Sequence, residues 1–256
     1  MTVPAPRQYQ VGTLRELTSS EHPEQAYYLY IPPDFDGSSA FRLLVTIHGL
    51  SRGAERYAES FIACADRHHY ILLAPLFPTT LHFQELGIGA ERADLRLLEL
   101  VDEVAGELAV QTDKFDLFGY SGGAQFAHRF LYVQPERLRS VVIGAPGTVT
   151  LPSDRHRWPL GVRGLTRAAG VRFSLEEVRR PRVLLIVGAE DVTVEDLNQS
   201  PWAMHAGSTR LGRARSLHAA WLAAGIEHEY VEVPEAGHGL DERIVEPACR
   251  FLEAGL

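Results

Sequence analysis

Phe115-Asp116-Leu117-Phe118-Gly119-Tyr120-Ser121-Gly122-Gly123 runs from a short apolar stretch through G-x-S-x-G into an amphipathic stretch that begins at Ala124. Phe126 and Phe130 lie one helical turn apart, so the segment reads as a strand, a tight turn and a helix. A serine held on a strained strand-to-helix turn leaves no room for side chains two residues to either side, and Gly119 and Gly123 meet that need. The helix N-terminus behind Ser121 would present backbone N–H groups and a partial positive charge to a developing anion.

Working outward, short apolar runs rich in β-branched and aromatic residues recur at 27–31, 41–47, 70–74, 115–118, 140–143, 183–187 and 230–233. The run at 41–47 is nearly continuous, as expected of a strand buried on both faces of a mostly parallel sheet. Helical periods fall between them at 55–67, 91–108, 124–133, 208–224 and 243–252, with Leu95, Leu98, Val101 and Val104 as the stripe of the second. Strands alternating with helices predict an α/β fold with a doubly wound, mostly parallel sheet and helices on both faces. Residues 7–14 are expected to add an early antiparallel strand. Two long connections, 144–181 and 192–213, interrupt the alternation. Such segments tend to form lids or binding loops, here at the carboxyl ends of the strands, where open α/β sheets bind ligands. One domain over 1–256 is expected, with 144–181 as a small lid or insert.

Composition is that of an ordinary globular chain: 256 residues, 45% hydrophobic and 23% charged. The formal net charge of −8 argues against nucleic acid or an anionic membrane as partner. No apolar run approaches the ~20 residues that span a bilayer. The first seven residues lack the apolar core of a signal peptide, so a cytoplasmic protein is expected; a processed secreted chain given a new Met1 would read the same way. Cys64 and Cys249 share no metal-ligand motif, and free buried thiols are expected in that compartment, although both predicted helices could reach the same sheet face. The partners expected are a small-molecule substrate and, left open, a second copy in a homodimer.

A serine hydroxyl is a weak nucleophile at neutral pH and needs an adjacent base, which needs an orienting carboxylate. Gly188-Ala189-Glu190-Asp191 follows the strand at 183–187, which makes Asp191 the candidate acid, with Glu190 and Asp196 as fallbacks. Ala236-Gly237-His238-Gly239 follows the last strand, which makes His238 the candidate base. Two N–H donors are needed for an oxyanion. One falls to Gly122, the residue after the serine. The other falls to Leu50 in His48-Gly49-Leu50-Ser51, after the strand at 41–47, with Ser51 as its alternative.

With these residues in place the chain resembles an α/β-hydrolase, and more narrowly the esterase and polyhydroxybutyrate-depolymerase-like branch. The features are Tyr28-Leu29-Tyr30-Ile31-Pro32, Val45-Thr46-Ile47-His48-Gly49, the Ser121 turn, Gly188 to Asp191 and Gly237-His238. The resemblance implies a cofactor-free serine hydrolase of carboxylic esters. The depolymerases proper carry an added polymer-binding domain, so smaller or oligomeric esters are the expected substrates. An amide or peptide hydrolase, an acyltransferase and a non-catalytic receptor on the same fold are the alternatives.

Ser51, Tyr120, Phe77, Trp158 and Trp202 are the candidate pocket residues, and Leu81 and Phe83 are expected to border the same space. Trp221, at helical spacing with Leu217 and Ala224, is expected in the core. His48 is read as structural. His82, His156, His205, His218 and His228 show no metal-ligand spacing, and no metal site is expected. Residues 154–182 hold eight arginines, from Arg155 to Arg182. Two readings stand: a basic lid that prefers carboxylate-bearing substrates, and a plain solvated face.

Overall fold

The computed structural model describes residues 9–38, 40–78, 81–88, 91–108, 110, 112–195 and 197–254. In chain order the strands are β1 (Arg15–Thr18), β2 (Ala26–Tyr30), β3 (Arg42–Ile47), β4 (Tyr70–Leu76), the two-residue β5 (Gly87–Ile88) and β6 (Glu91–Arg92), β7 (Phe115–Tyr120), β8 (Leu138–Gly144), β9 (Arg182–Gly188) and β10 (Glu229–Val233). The helices are α1 (Ala54–Ser60), α2 (Ile62–His68), α3 (Ala93–Leu108), α4 (Gly122–Val133), the short α5 (Leu165–Ala169), α6 (Leu175–Val178) and α7 (Pro201–Met204), then α8 (Arg210–Ala223) and α9 (Glu242–Glu253).

Eight strands form one sheet in the order β1-β2-β4-β3-β7-β8-β9-β10. The pairs from β4 to β10 are parallel, and β1 and β2 add an antiparallel edge. From β3 the chain first moves outward to β4 and then returns to β7 on the other side. That reversal opens a crevice beyond the carboxyl ends of β3 and β7, the switch point at which such sheets bind ligands. Ile47 pairs with Gly119, Gly119 with Ile143 and Ile143 with Leu185, so the loops after four strands leave the sheet at one level.

β7 is buried at every position and β4, β8 and β9 at nearly every one, which requires cover on both faces. On one side α2 and α9 are tied by a bond between Cys64 and Cys249. On the other, α4 meets α3 through Gln134 and Asp94 (2.9 Å) and α8 through the Trp221 indole N–H, which donates to the Tyr132 hydroxyl at 2.6 Å. Trp221 is fully buried, as its spacing predicts. Among the described residues no helix is long and apolar enough to cross a membrane.

Four local expectations need correction. The early strand is β1 at Arg15–Thr18, set by its pairing with β2, rather than 9–14; residues 7 and 8 of the expected segment lie outside the described residues. The helix expected over 55–67 breaks at Phe61, whose buried ring packs on Phe118 with centroids 4.5 Å apart. In α3 the core face is Leu97, Leu100, Val101 and Val104, whereas Leu95 is 44% exposed; the register is offset by the start of the helix at Ala93. Finally, Cys64 and Cys249 are not free. Cys64 on α2 and Cys249 on α9 have their Cα atoms 6.1 Å apart, and the sulfurs are bonded to each other.

Candidate active site

Ser121 sits between β7 and α4 with φ 56° and ψ −112°, a backbone conformation that side chains other than glycine rarely adopt. Its N–H donates to the Gly144 carbonyl at the end of β8 (2.8 Å), which pins the turn to the sheet. A Cβ on Gly123 would fall on the Ile47 carbonyl, so only glycine lets the turn seat against the end of β3. Asp191 lies three residues past β9 and is fully buried. Its N–H donates to Gly188 and its carbonyl accepts from Leu211 in the first turn of α8. The neighbouring Glu190 N–H donates to the Ala236 carbonyl at 2.9 Å, lacing the Asp191 loop to the loop that carries His238.

These loops bring Ser121, His238 and Asp191 into one chain of hydrogen bonds. His238 Nδ1 is 2.8 Å from Asp191 Oδ2, and Nε2 is 3.1 Å from Ser121 Oγ. With the ring proton on Nδ1 donated to the carboxylate, Nε2 is left to accept the serine proton. The Tyr120 ring stacks on the imidazole at 5.4 Å and 21°, fixing its plane from the other side. Burial and the nearby Asp191 charge both raise the Tyr120 phenol, which stays neutral. The Leu50 backbone N lies against Gly122, only 3.1 Å from where a Cβ there would sit, so the two expected N–H donors flank the serine together. His48 anchors that loop: its Nδ1–H donates to the Gly49 carbonyl at 2.7 Å and its Nε2 accepts the Phe77 N–H at 3.1 Å. Burial holds its pKa down to about 4, so it is neutral at pH 7.

Two cavities open on the serine. One, of about 230 Å³, is lined by Leu50, His82, Gln84, Glu85, Gln125, Gly147, Thr148, Leu197, Asn198 and Arg210. The other, of about 590 Å³, is lined by Gly49, Leu50, Ser51, Arg56, Tyr57, Tyr120, Arg210, His238 and Leu240 among others. Ser121 and Arg210 belong to both walls.

No family model and no curated protein matches the chain. Solved structures do. Poly(aspartic acid) hydrolase-1 from Sphingomonas sp. KT-1 superposes with a TM-score of 0.79 over 94% of this chain and 98% of its own, at 20% identity. LpqC, a poly(3-hydroxybutyrate) depolymerase from Bordetella parapertussis, gives 0.75 over 91% and 84%, at 22% identity. An S-formylglutathione hydrolase from Agrobacterium tumefaciens gives 0.64 over 94% and 93%, at 15% identity. The fold is that of the α/β-hydrolases. Within it, Ser121 sits on the turn after β7, and Asp191 and His238 sit on the loops after β9 and β10.

The structure separates the remaining expected residues. Ser51 and Tyr120 line the larger cavity. Phe77 is 1% exposed and stacks on Phe83 inside the core, and Leu81 and Phe83 are buried as well; His82, Gln84 and Glu85 face the smaller cavity instead. Trp158 is half-buried against the core and lines neither cavity. The side chain of Trp202 and the fallback Asp196 lie outside the described residues. Glu190 is exposed and takes no part in the hydrogen-bond chain.

The arginine-rich segment does not cover the site. Seven of its arginines are solvent-exposed, none lines either cavity, and Arg182 stacks on Phe251 at 4.3 Å. Cys64, His68 and Cys249 place one ligand atom each within 4.8 Å of one another, but the two sulfurs are spent on the disulfide. The i, i+4 pair Cys64 and His68 was the signal for that cluster. Nothing local in the sequence sets Arg210 apart from the other basic residues of 208–224.

Proposed function

We propose that this chain is a serine hydrolase of carboxylic esters that works through an acyl-enzyme intermediate. The observation that carries the reading is the buried-to-exposed relay Asp191–His238–Ser121, at 2.8 and 3.1 Å, opening on two cavities. His238 takes the hydroxyl proton as Ser121 Oγ attacks the ester carbonyl, and the Leu50 and Gly122 N–H groups receive the oxyanion. Collapse expels the alcohol, protonated by the imidazolium, and leaves Ser121 acylated. A water deprotonated by His238 then releases the acid and restores the serine. Asp191 holds the Nδ1–H tautomer and stabilises the charged imidazole.

Pre-steady-state hydrolysis of p-nitrophenyl butyrate tests this reading. A burst of about one p-nitrophenolate per chain is expected, followed by slower turnover, and the Ser121→Ala variant should lose both. A fully active Ser121→Ala variant would overturn the assignment. The matching butyryl p-nitroanilide, run alongside, separates ester from amide hydrolysis.

A further inference from the structure

Three arginine side chains among the described residues are buried around the smaller cavity, and two of them are hydrogen-bonded through all three nitrogens. Arg129 donates from Nε to Thr150 Oγ1 (2.9 Å), from one terminal nitrogen to the Gln84 carbonyl (2.5 Å) and from the other to Thr148 Oγ1 (3.0 Å). Arg213 donates to the carbonyls of Gly207 (2.8 Å), Gly147 and Asn198 (2.7 Å). Both tie cavity-forming loops together. Arg210 does nothing of the kind. It is 4% exposed, its buried Nε has no partner, and its guanidinium makes no hydrogen bond among the described residues.

Its placement is unfavourable on two further counts. Arg210 opens α8, directly after the N-cap Thr209, where the helix dipole repels a cation. Its ionic neighbour is Asp191, but the nearest contact, NH1 to Oδ1, is 3.6 Å, outside hydrogen-bond range. The other carboxylate oxygen is already engaged by His238. Among the described residues around the cavity, Arg129 faces Glu85 and Asp191 is shared, which leaves three guanidiniums against two carboxylates. A buried cation with free donors, on the wall of both cavities, suits a ligand that brings its own anion. A carboxylate matches the planar fork of a guanidinium best.

We propose that Arg210 is the anchor for a carboxylate carried by the substrate, so that the site selects esters bearing a free acid over neutral esters of the same length. This rests on the serine-hydrolase reading above. Of the two readings of the arginines of 154–182, the exposed face fits them, and the carboxylate preference is placed instead on a single buried residue of another segment.

The test compares the mono-p-nitrophenyl esters of glutaric and adipic acid with the corresponding p-nitrophenyl methyl diesters. In the wild type, kcat/KM should favour the free acids by about 10-fold or more, mainly through KM, as expected for charge-assisted hydrogen bonds at a buried site. In Arg210→Met that ratio should collapse toward unity, and Arg210→Lys should restore part of it. Arg210 is also the nearest cation to the buried Asp191 carboxylate (3.6 Å), so Arg210→Met is expected to lower Tm whichever role the side chain plays, and the ratio of acid to diester is the deciding readout. A side chain retained only to hold Asp191 would slow acid and diester alike and leave their ratio unchanged. In a Ser121→Ala background, calorimetry should detect adipate binding that Arg210→Met abolishes and that dimethyl adipate, which has no free acid, never shows. No free-acid preference in the wild type, or a preference that survives Arg210→Met, overturns the proposal. Diester hydrolysis that depends on Ser121 would still stand in that case, so failure of this inference is distinct from failure of the hydrolase reading.

Discussion

Removing the Cys64–Cys249 bond should cost this chain a large part of its stability without dismantling the candidate active site. The bond closes a loop of 185 residues, and the chain-entropy relation gives about 18 cal/mol/K, or roughly 5 kcal/mol near 25 °C, as the ceiling of its effect on the unfolded state. Unfolding entropy of about 2.1 cal/mol/K per residue over 256 residues converts that ceiling into a fall in Tm of about 10 °C. Ser121, Asp191 and His238 are held by loops after β7, β9 and β10, whereas the cysteines lie on α2 and α9, so the proposed esterase activity at room temperature should survive. The assay is differential scanning fluorimetry with and without a dithiol reductant, on wild type and on the Cys64→Ala/Cys249→Ala double variant. Reductant should lower the wild-type Tm by roughly 5 to 10 °C and leave the double variant unmoved. The reasoning is refuted if denatured, unreduced protein titrates with two free thiols and the wild-type Tm ignores reductant. Disulfides persist in oxidising compartments, so the same thiol count tests the cytoplasmic expectation.

Other outcomes follow from single contacts. Replacing Asp191 with Asn should lower kcat by about four orders of magnitude with little change in KM, because the amide favours the wrong imidazole tautomer; steady-state kinetics on p-nitrophenyl butyrate checks it. His48 has its folded pKa lowered from 6.5 to about 4, so the neutral form is the one the fold favours. Between those values the unfolded chain binds more protons, and stability should therefore fall as pH drops from 6.5 toward 4, by up to about 3 kcal/mol from this residue. The burial-lowered His128 acts in the same direction, and urea midpoints across that window, compared with those of His48→Gln, measure the contribution. Trp221→Phe removes the 2.6 Å bond to the Tyr132 hydroxyl, which keeps its 3.0 Å bond to the Thr150 carbonyl, and should cost about 1 kcal/mol for the lost bond in urea unfolding.

Much of this architecture was legible because the relevant signals are local. The apolar runs at 41–47, 115–118 and 183–187 are strands because both sheet faces are covered. Gly123 must be glycine because of one carbonyl on the neighbouring strand. Asp191 and His238 could be picked because each follows a strand that ends at the same edge. What stayed hidden depends on packing between distant elements. The break at Phe61 carries no proline or glycine; it is fixed by a ring that fits against Phe118. The cysteine pairing needs the relative placement of α2 and α9, and cysteine spacing holds no trace of it. Phe77 looked like a pocket residue because it follows a strand, yet the turn after β4 folds it inward against Phe83. Arg210 is invisible as one more arginine on a helix until its burial and empty donors are seen.

The central claim is covalent chemistry at Ser121. Acid-quenched intact-mass spectrometry during turnover of p-nitrophenyl butyrate addresses it most directly. One butyryl group per chain is predicted, mapped to the peptide that contains Ser121 and missing from Ser121→Ala. Acylation at another residue, or steady hydrolysis with no acylated species at any time point, would contradict it.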